Sequence, residues 1–185
     1  VAVNYWGELL TVELLAALLR RRPFRTLGRL VVRQLMDETR HANLTRSLLH
    51  VRGRDPVHED SAAEFTYCKL FEKWSRGSVE ETLAFLGSNE RSSSRNFSSL
   101  IKVGVAADDW QLVTMYSEIL NDEVKHAANI FRILPDSAEV RALTEKADAD
   151  MRAAFNLRYA KLAREFADAF EQVRGATASR GPSVE

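Results

Sequence analysis

An all-α bundle is the fold class this 185-residue sequence predicts, and three observations carry it. Apolar residues recur every three or four positions over most of the chain, which is the helical period. The four prolines and most of the eight glycines fall between those stretches, as turns do. Strand-like alternation is hard to find.

The first helix is expected over residues 3–22, stopped by Pro23, whose ring would clash with the preceding turn. The second runs over 26–52, with Thr26 as N-cap and Gly53 as the C-terminal stop. Residues 54–60, with Pro56, read as a loop, and 62–74 as a shorter helix ended at Arg76-Gly77. Ser78-Val-Glu-Glu81 has capping-box spacing, so a third long helix starts there and reaches Val103, with Gly104 as its stop. Asp108 caps a fourth long helix that ends at Leu134 before Pro135. A fifth fills 137–175, and 176–185 reads as a frayed, disordered tail. Residues 1–175 suffice for one helical domain. Short connections make helices one and two, and three and four, antiparallel hairpins. The longer link over 53–77 lets helix three run parallel to helix two, giving a four-helix bundle with a long crossover and an extra C-terminal helix.

Composition excludes several function classes. Lysine plus arginine equals aspartate plus glutamate at 26 each, so no overall field draws the chain to nucleic acid or an anionic membrane. The lone cysteine, Cys68, permits neither an internal disulfide nor a thiolate cluster and reads as a buried structural thiol in a reducing cytosol. Apolar runs such as Leu14 to Leu19 fall far short of the roughly 20 residues that span a bilayer, and no signal peptide opens the chain. The expectation is a soluble, cytoplasmic protein.

One phrase is written nearly twice. Asp37-Glu-Thr-Arg-His-Ala-Asn43 and Asp122-Glu-Val-Lys-His-Ala-Ala-Asn129 lie 85 positions apart, in the middle of helices two and four. Glu38 and His41 are three residues apart and leave the same helix face, as do Glu123 and His126. Their face is otherwise apolar: Leu27, Val31, Leu44 and Leu48 on helix two, and Leu112, Tyr116, Ile119, Ile130 and Ile133 on helix four. A carboxylate and an imidazole buried among such residues cost several kcal/mol unless a cation offsets the cost. One such pair could decorate a solvated face, but two of the four histidines sharing this context argue for metal. His50 and His58 lack it and read as solvent-facing.

Two Glu-x-x-His pairs leave a di-metal site short of ligands, so the other two long helices should each supply a carboxylate. Residues level across a hairpin are equidistant from its turn. Reflecting Glu123 through a turn at about residue 106 lands near 89 or 90, where Glu90 stands, and reflecting Glu38 through Pro23 lands on Glu8. Glu13 is the competitor to Glu8, on a different face. Glu90 shares its face with Leu83, Leu86 and Phe97, whereas Glu80 and Glu81 belong to the helix start.

With Glu8, Glu38-x-x-His41, Glu90 and Glu123-x-x-His126 in this order, the sequence resembles the ferritin-like di-iron carboxylate superfamily over residues 5–134. The glutamates are spaced by 30, 52 and 33 positions. That spacing is similar to the O2-activating branches: hydroxylase subunits of bacterial multicomponent monooxygenases, aldehyde-deformylating oxygenases and ribonucleotide reductase small subunits. The resemblance implies two iron ions, or manganese with iron. Glu38 and Glu123 would bridge or bind both, His41 and His126 would bind one each, and Glu8 and Glu90 would be terminal or shifting carboxylates. It also implies that Asp37 and Asp122 accept a hydrogen bond from the histidine of the opposite motif, which fixes the ring orientation. Carboxylates with imidazoles suit iron or manganese, and the absence of thiolate argues against a structural zinc cage.

The activity so implied is that of an O2-dependent non-haem di-iron oxygenase or oxidase. O2 would be co-substrate in the hydroxylation, N-oxygenation, desaturation or cleavage of a small organic substrate, and an external reductase or ferredoxin would supply electrons. The alternative is a ferritin- or rubrerythrin-like protein that handles iron or scavenges peroxide. Against it stand the absence of Cys-x-x-Cys and a long C-terminal helix with Met151, Phe155, Tyr159 and Leu162 on one side, which could also pair two chains as a homodimer. Thr45 stands where ribonucleotide reductases carry the radical tyrosine, so a tyrosyl-radical store is not expected. Gly87, Ser92, Ser93 and Ser94 are small enough to leave room beside Glu90, and Ser94 falls where the monooxygenase hydroxylases place a hydroxyl residue. Tyr116, two turns before Glu123, could relay an electron, line the pocket or simply fill core with its hydroxyl satisfied. The basic run Arg20 to Arg25 either docks an acidic electron donor or RNA, or simply faces water at a helix end.

Overall fold

The computed structural model describes residues 2–21, 25–54 and 62–178, with side chains described as far as residue 160 apart from a few positions beside the gaps and in the last helix. Six helices and no strands occur among the described residues: α1 (Ala2–Arg20), α2 (Arg25–Val51), α3 (Ala62–Ser75), α4 (Val79–Ala106), α5 (Trp110–Ile133) and α6 (Ala138–Ala178). Pro23 and the loop at Pro56 and His58 lie outside the described residues, as do 179–185 of the expected tail; residues 176–178 are helical.

Local chemistry sets most of the ends. Gly53 has a φ of 63°, the left-handed conformation that glycine adopts without penalty, and the Gly53 and Arg54 amides donate back to the His50 and Leu49 carbonyls. Ser78 and Glu81 form the full capping box, each side chain accepting from the other residue's amide. The α4–α5 turn departs from expectation at two residues. Helix α4 continues past Gly104 to Ala106, because Gly104 is a close-packing position: a Cβ there would meet Val113 Cγ2 at 2.9 Å. Asp109, not Asp108, is the N-cap of α5, accepting from the Leu112 amide at 3.1 Å, while Asp108 takes the positive φ of 57° that aspartate tolerates.

Side-chain partners fix the topology. Arg52 reaches Asp109, Arg40 reaches Asp122 and Asp37 reaches His126, so α2 and α5 run antiparallel. Arg21 donates to the Gly77 carbonyl and Thr82 hydroxyl, and Asn89 to Thr11, so α1 and α4 are also antiparallel. Because α1 pairs antiparallel with both α2 and α4, α2 and α4 are parallel, and Gln34 meets Glu90 across them. Arg21 also caps the end of α3 at the Ser75 carbonyl, which commits one member of the basic run to an internal role.

Helices α3 and α6 form an outer layer against α4. Phe71 and Trp74 pack on Phe85 at centroid distances of 5.0 and 5.5 Å, and Ala147 and Met151 are buried in the same cluster. Phe155 packs against it; the side chains of Tyr159 and Leu162 lie outside those described. Cys68 is half-buried in the wall of a cleft between α1 and α3 rather than in the core. Ile133, expected inside, is exposed at the last turn of α5.

Gly87 is a point of close helix approach. A Cβ there would lie 2.9 Å from Phe131 Cζ and 3.1 Å from Ile130 Cγ2, so the small residue lets α4 and α5 meet and does not open room beside Glu90. Replacing Gly87 with Leu is expected to lower stability by about 1–3 kcal/mol through overpacking, read as a lower urea midpoint with unchanged slope.

Candidate metal centre

Each half of the bundle contributes one hairpin, and each hairpin sets a Glu-x-x-His helix level with a helix that carries a single glutamate. The outcome is a cluster of six side chains, Glu8, Glu38, His41, Glu90, Glu123 and His126, all buried. Apolar clusters close it at both ends. Leu14, Leu18, Val31, Leu86 and Ile130 belong to one, and Leu48, Phe97, Leu112, Tyr116 and Ile119 to the other.

The six fall into two overlapping sets of four. In one, ligand atoms of Glu8, Glu38, His41 and Glu123 lie within 4.8 Å of one another; in the other, those of Glu38, Glu90, Glu123 and His126 do. Glu38 and Glu123 belong to both. Glu38 presents Oε1 to His126 Nδ1 at 3.0 Å and Oε2 to His41 Nδ1 at 3.3 Å, so its two oxygens serve the two halves separately. Glu123 Oε1 is 3.2 Å from His41 Nδ1. The imidazole centroids are 6.0 Å apart.

Both rings point Nδ1 into the cluster and Nε2 out toward the opposite motif. His126 Nε2 lies 3.1 Å from Asp37 Oδ2, and His41 Nε2 lies 3.5 Å from Asp122 Oδ2. Arg40 holds Asp122 at 2.5 Å and also pairs with Glu118, so that aspartate is anchored from its other side. Burial pushes Asp122 up, but Lys125 and His41 beside it hold its carboxyl below the ordinary range. An aspartate one residue before each glutamate therefore lies at the α2–α5 seam, where it can orient the partner helix's imidazole.

The donor chemistry fits a pair of divalent cations. Four carboxylates carry four negative charges with no lysine or arginine among them, and two divalent ions carry four positive ones while leaving both imidazoles neutral. Protonated histidines alone would supply only two. Glu90 Oε2, Glu123 Oε1 and His126 Nδ1 are buried without a hydrogen-bond partner although other polar atoms stand close by. Such orphaned atoms are rare in protein interiors and cost roughly 1–3 kcal/mol each, and inward-facing lone pairs are what coordination would use.

Without metal the charges must be shed. Burial, then the charges of neighbouring glutamates, pushes Glu8 and Glu123 well above the ordinary carboxyl value, and Glu90 upward as well. Glu38 goes the other way: burial pushes it up, but the His126 and His41 imidazoles beside it win and hold it far below. Burial pushes His126 down, but Glu38 and Glu90 beside it raise it to about 11.

Several expected roles settle differently. Glu13 is exposed and lines the α1–α3 cleft, so Glu8 is the α1 glutamate in the cluster. The Ser94 hydroxyl donates to the Glu90 carbonyl of its own helix at 2.8 Å, and Ser94 is only partly buried. Tyr116 is fully buried, stacks on Phe97 at 5.1 Å, and its hydroxyl accepts from Asn4 at 2.6 Å. Thr45 bonds the His41 carbonyl, and His50 is exposed. Gln34 joins the cluster although no motif marks it: it is buried one turn before Glu38, and its amide nitrogen donates to Glu90 at 3.0 Å and approaches Glu38 at 3.4 Å. Its spacing of four from Glu38 was the available signal. Comparison with family models, curated proteins and solved structures returned no match to this chain. Among the described residues no helix is long and apolar enough to cross a membrane.

Two predictions follow from the charge balance. A group whose folded pKa is raised adds stability that is complete below its unfolded pKa and is lost as pH rises through the folded one. Glu8, Glu90 and Glu123 act this way above the ordinary value of 4.5, and His126 between 6.5 and about 11. Glu38, with a lowered value, contributes fully above 4.5 and leaves the slope unchanged there. The metal-free protein is expected to melt at progressively lower temperature from about pH 5 to pH 9, and a divalent metal to flatten that slope. Glu123→Gln is expected to stabilise the metal-free protein by about 1 kcal/mol or more at pH 8 while lowering metal affinity, because it removes one uncompensated buried acid. Thermal melts of chelator-treated and metal-loaded samples across that pH range check the first, and urea titrations with metal titrations of the variant check the second; a metal-free chain destabilised by Glu123→Gln would count against the charge argument.

Proposed function

We propose that this chain is a ferritin-like non-haem di-iron protein, with manganese and iron as the other pairing, that activates O2 to oxidise a small organic substrate. The observation that carries the reading is the pair of four-donor sets sharing Glu38 and Glu123 in a space closed at both ends by apolar side chains. The antiparallel pairing of α1 with α4 and of α2 with α5, with α2 and α4 parallel, supports the ferritin-like arrangement.

Glu38 and Glu123 would each contact both ions, His41 and Glu8 would complete one position, and His126 and Glu90 the other. A bound pair of ferrous ions supplies the electrons that reduce O2 and so the power to oxidise a C–H or N–H bond. The rest is the protein's work. Asp37 holds the His126 imidazole by Nε2 and leaves its Nδ1 as the donor, and Asp122 stands 3.5 Å from His41 Nε2, where it would do the same for that ring. Gln34 holds one Glu90 oxygen by a hydrogen bond and leaves the other free of partners. The apolar clusters keep water away from any reactive species formed between them. The substrate and the electron donor, a reductase or ferredoxin in this reading, would come from outside the chain.

Anaerobic loading with Fe(II) should give about two iron per chain, and admitting O2 should produce a transient visible absorption. Glu38→Ala should abolish loading, and Asp37→Asn should weaken it about 10- to 100-fold without unfolding the protein. Loss of all metal binding in the wild-type chain would refute the proposal. Ferric iron accumulating far beyond two per chain would instead mark an iron-storage protein.

A further inference from the structure

A second site lies on the outer side of the α2–α5 seam. There a cleft of about 360 Å³ opens between the helices. Its floor is made by Gln34 and His126, both buried, its wall includes Leu30, and its rim carries Arg33, Lys125 and Arg132.

The charges in this cleft are unevenly spent. Asp37 is engaged by His126 at 3.1 Å, and Asp122 by Arg40 at 2.5 Å and Lys125 at 3.1 Å. Among the described residues the two arginines have no acidic partner: Arg132 reaches the Asn129 amide oxygen at 3.4 Å, and Arg33 makes no hydrogen bond or ion pair with any of them. The antiparallel register that sets Asp37 level with His126 puts Arg33 a turn away, on the side of Asn129 and Arg132, and the aspartates toward the other end. An anion held at the arginine end therefore sits about one helical turn from Asp37 and farther from Asp122. Guanidinium groups suit carboxylate and phosphate because their paired N–H donors match two oxygens at once.

The floor carries an independent sign of a ligand. Gln34 is 2% exposed, and its amide oxygen is buried without a partner. The amide cannot profitably flip, because its nitrogen faces carboxylate oxygens of Glu90 and Glu38. A polar atom so placed costs roughly 1–3 kcal/mol unless something donates to it.

We propose that this cleft binds a small anion, a carboxylate or phosphate seated on Arg33 and Arg132 that also carries a hydroxyl to donate to Gln34. The ligand would lie one side chain away from the Glu90–His126 half of the cluster, on the far side of Gln34. The site shares Gln34 and His126 with the cluster, but the two guanidinium groups that would seat the anion lie outside it.

Calorimetric titration at low ionic strength of metal-free and Fe(II)-loaded protein, with inorganic phosphate, glycolate and acetate as probes, tests it. Saturable binding of phosphate or glycolate is expected, and the tighter of the two identifies the anionic group. Acetate, which has no hydroxyl, should bind more weakly than glycolate. Arg33→Gln combined with Arg132→Gln, both on the exposed rim, should weaken binding at least about tenfold with an unchanged melting temperature. No binding of either anion up to about 50 mM, far weaker than two guanidinium contacts would give, overturns the proposal, as does equal binding by the double variant. Iron content measured on the same samples separates the two readings: anion binding without iron loading refutes the di-iron function alone, and iron loading without anion binding refutes the cleft alone.

Discussion

Four carboxylates facing one another in a dry interior are the constraint on which the rest of this structure depends. Each would cost several kcal/mol as an unpaired buried charge, and the two imidazoles beside them cannot balance four negative charges. A chain selected for stability alone would place leucine at Glu8, Glu38, Glu90 and Glu123, whose neighbours along each helix are apolar. The cluster is a concentrated liability, and a pair of divalent cations is the simplest way to remove it.

Holding such a cluster requires that four helices agree on one level along the bundle axis. The apolar groups above and below provide this, with Leu14, Leu18, Val31, Leu86 and Ile130 on one side and Leu48, Phe97, Tyr116 and Ile119 on the other. Close approach at Gly87 and Gly104 ties α4 to α5, so the register between Glu90 and Glu123 is set by packing at two points. Across the seam, Asp37, Arg40 and Asp122 bind α2 to α5 at the same height as the histidines. Helix α4 has a further task, because Phe85 receives Phe71 and Trp74 from α3 on the face away from the cluster.

Much of the site was legible because it obeys two simple geometries. Helical spacing placed Glu38 with His41 and Glu123 with His126, and reflection through a hairpin turn found Glu8 and Glu90. The departures share a cause. Local pattern makes Gly104 a helix stop and Gly87 open room, yet both are demanded by neighbouring side chains that no local pattern reveals. Asp108 and Asp109 are equally good caps by type, and the turn's backbone chose the second. Cys68 and Ile133 carry side chains that local pattern puts inside, but Cys68 lines the cleft between α1 and α3 and Ile133 lies at the exposed last turn of α5.

The sequence by itself determined the helices, their order, the pairing of hairpins and the six side chains that cluster, since period, caps and level are properties of one or two neighbouring segments. Only the tertiary structure decided which oxygen of Glu38 serves which histidine, that Asp37 and Asp122 cross to the opposite imidazole, and that Gln34 closes one wall of the cluster. Those contacts join residues on α2 to residues on α4 and α5, and their distances depend on how two hairpins rotate against each other. That rotation is set by the whole core at once, and no single stretch of the chain encodes it.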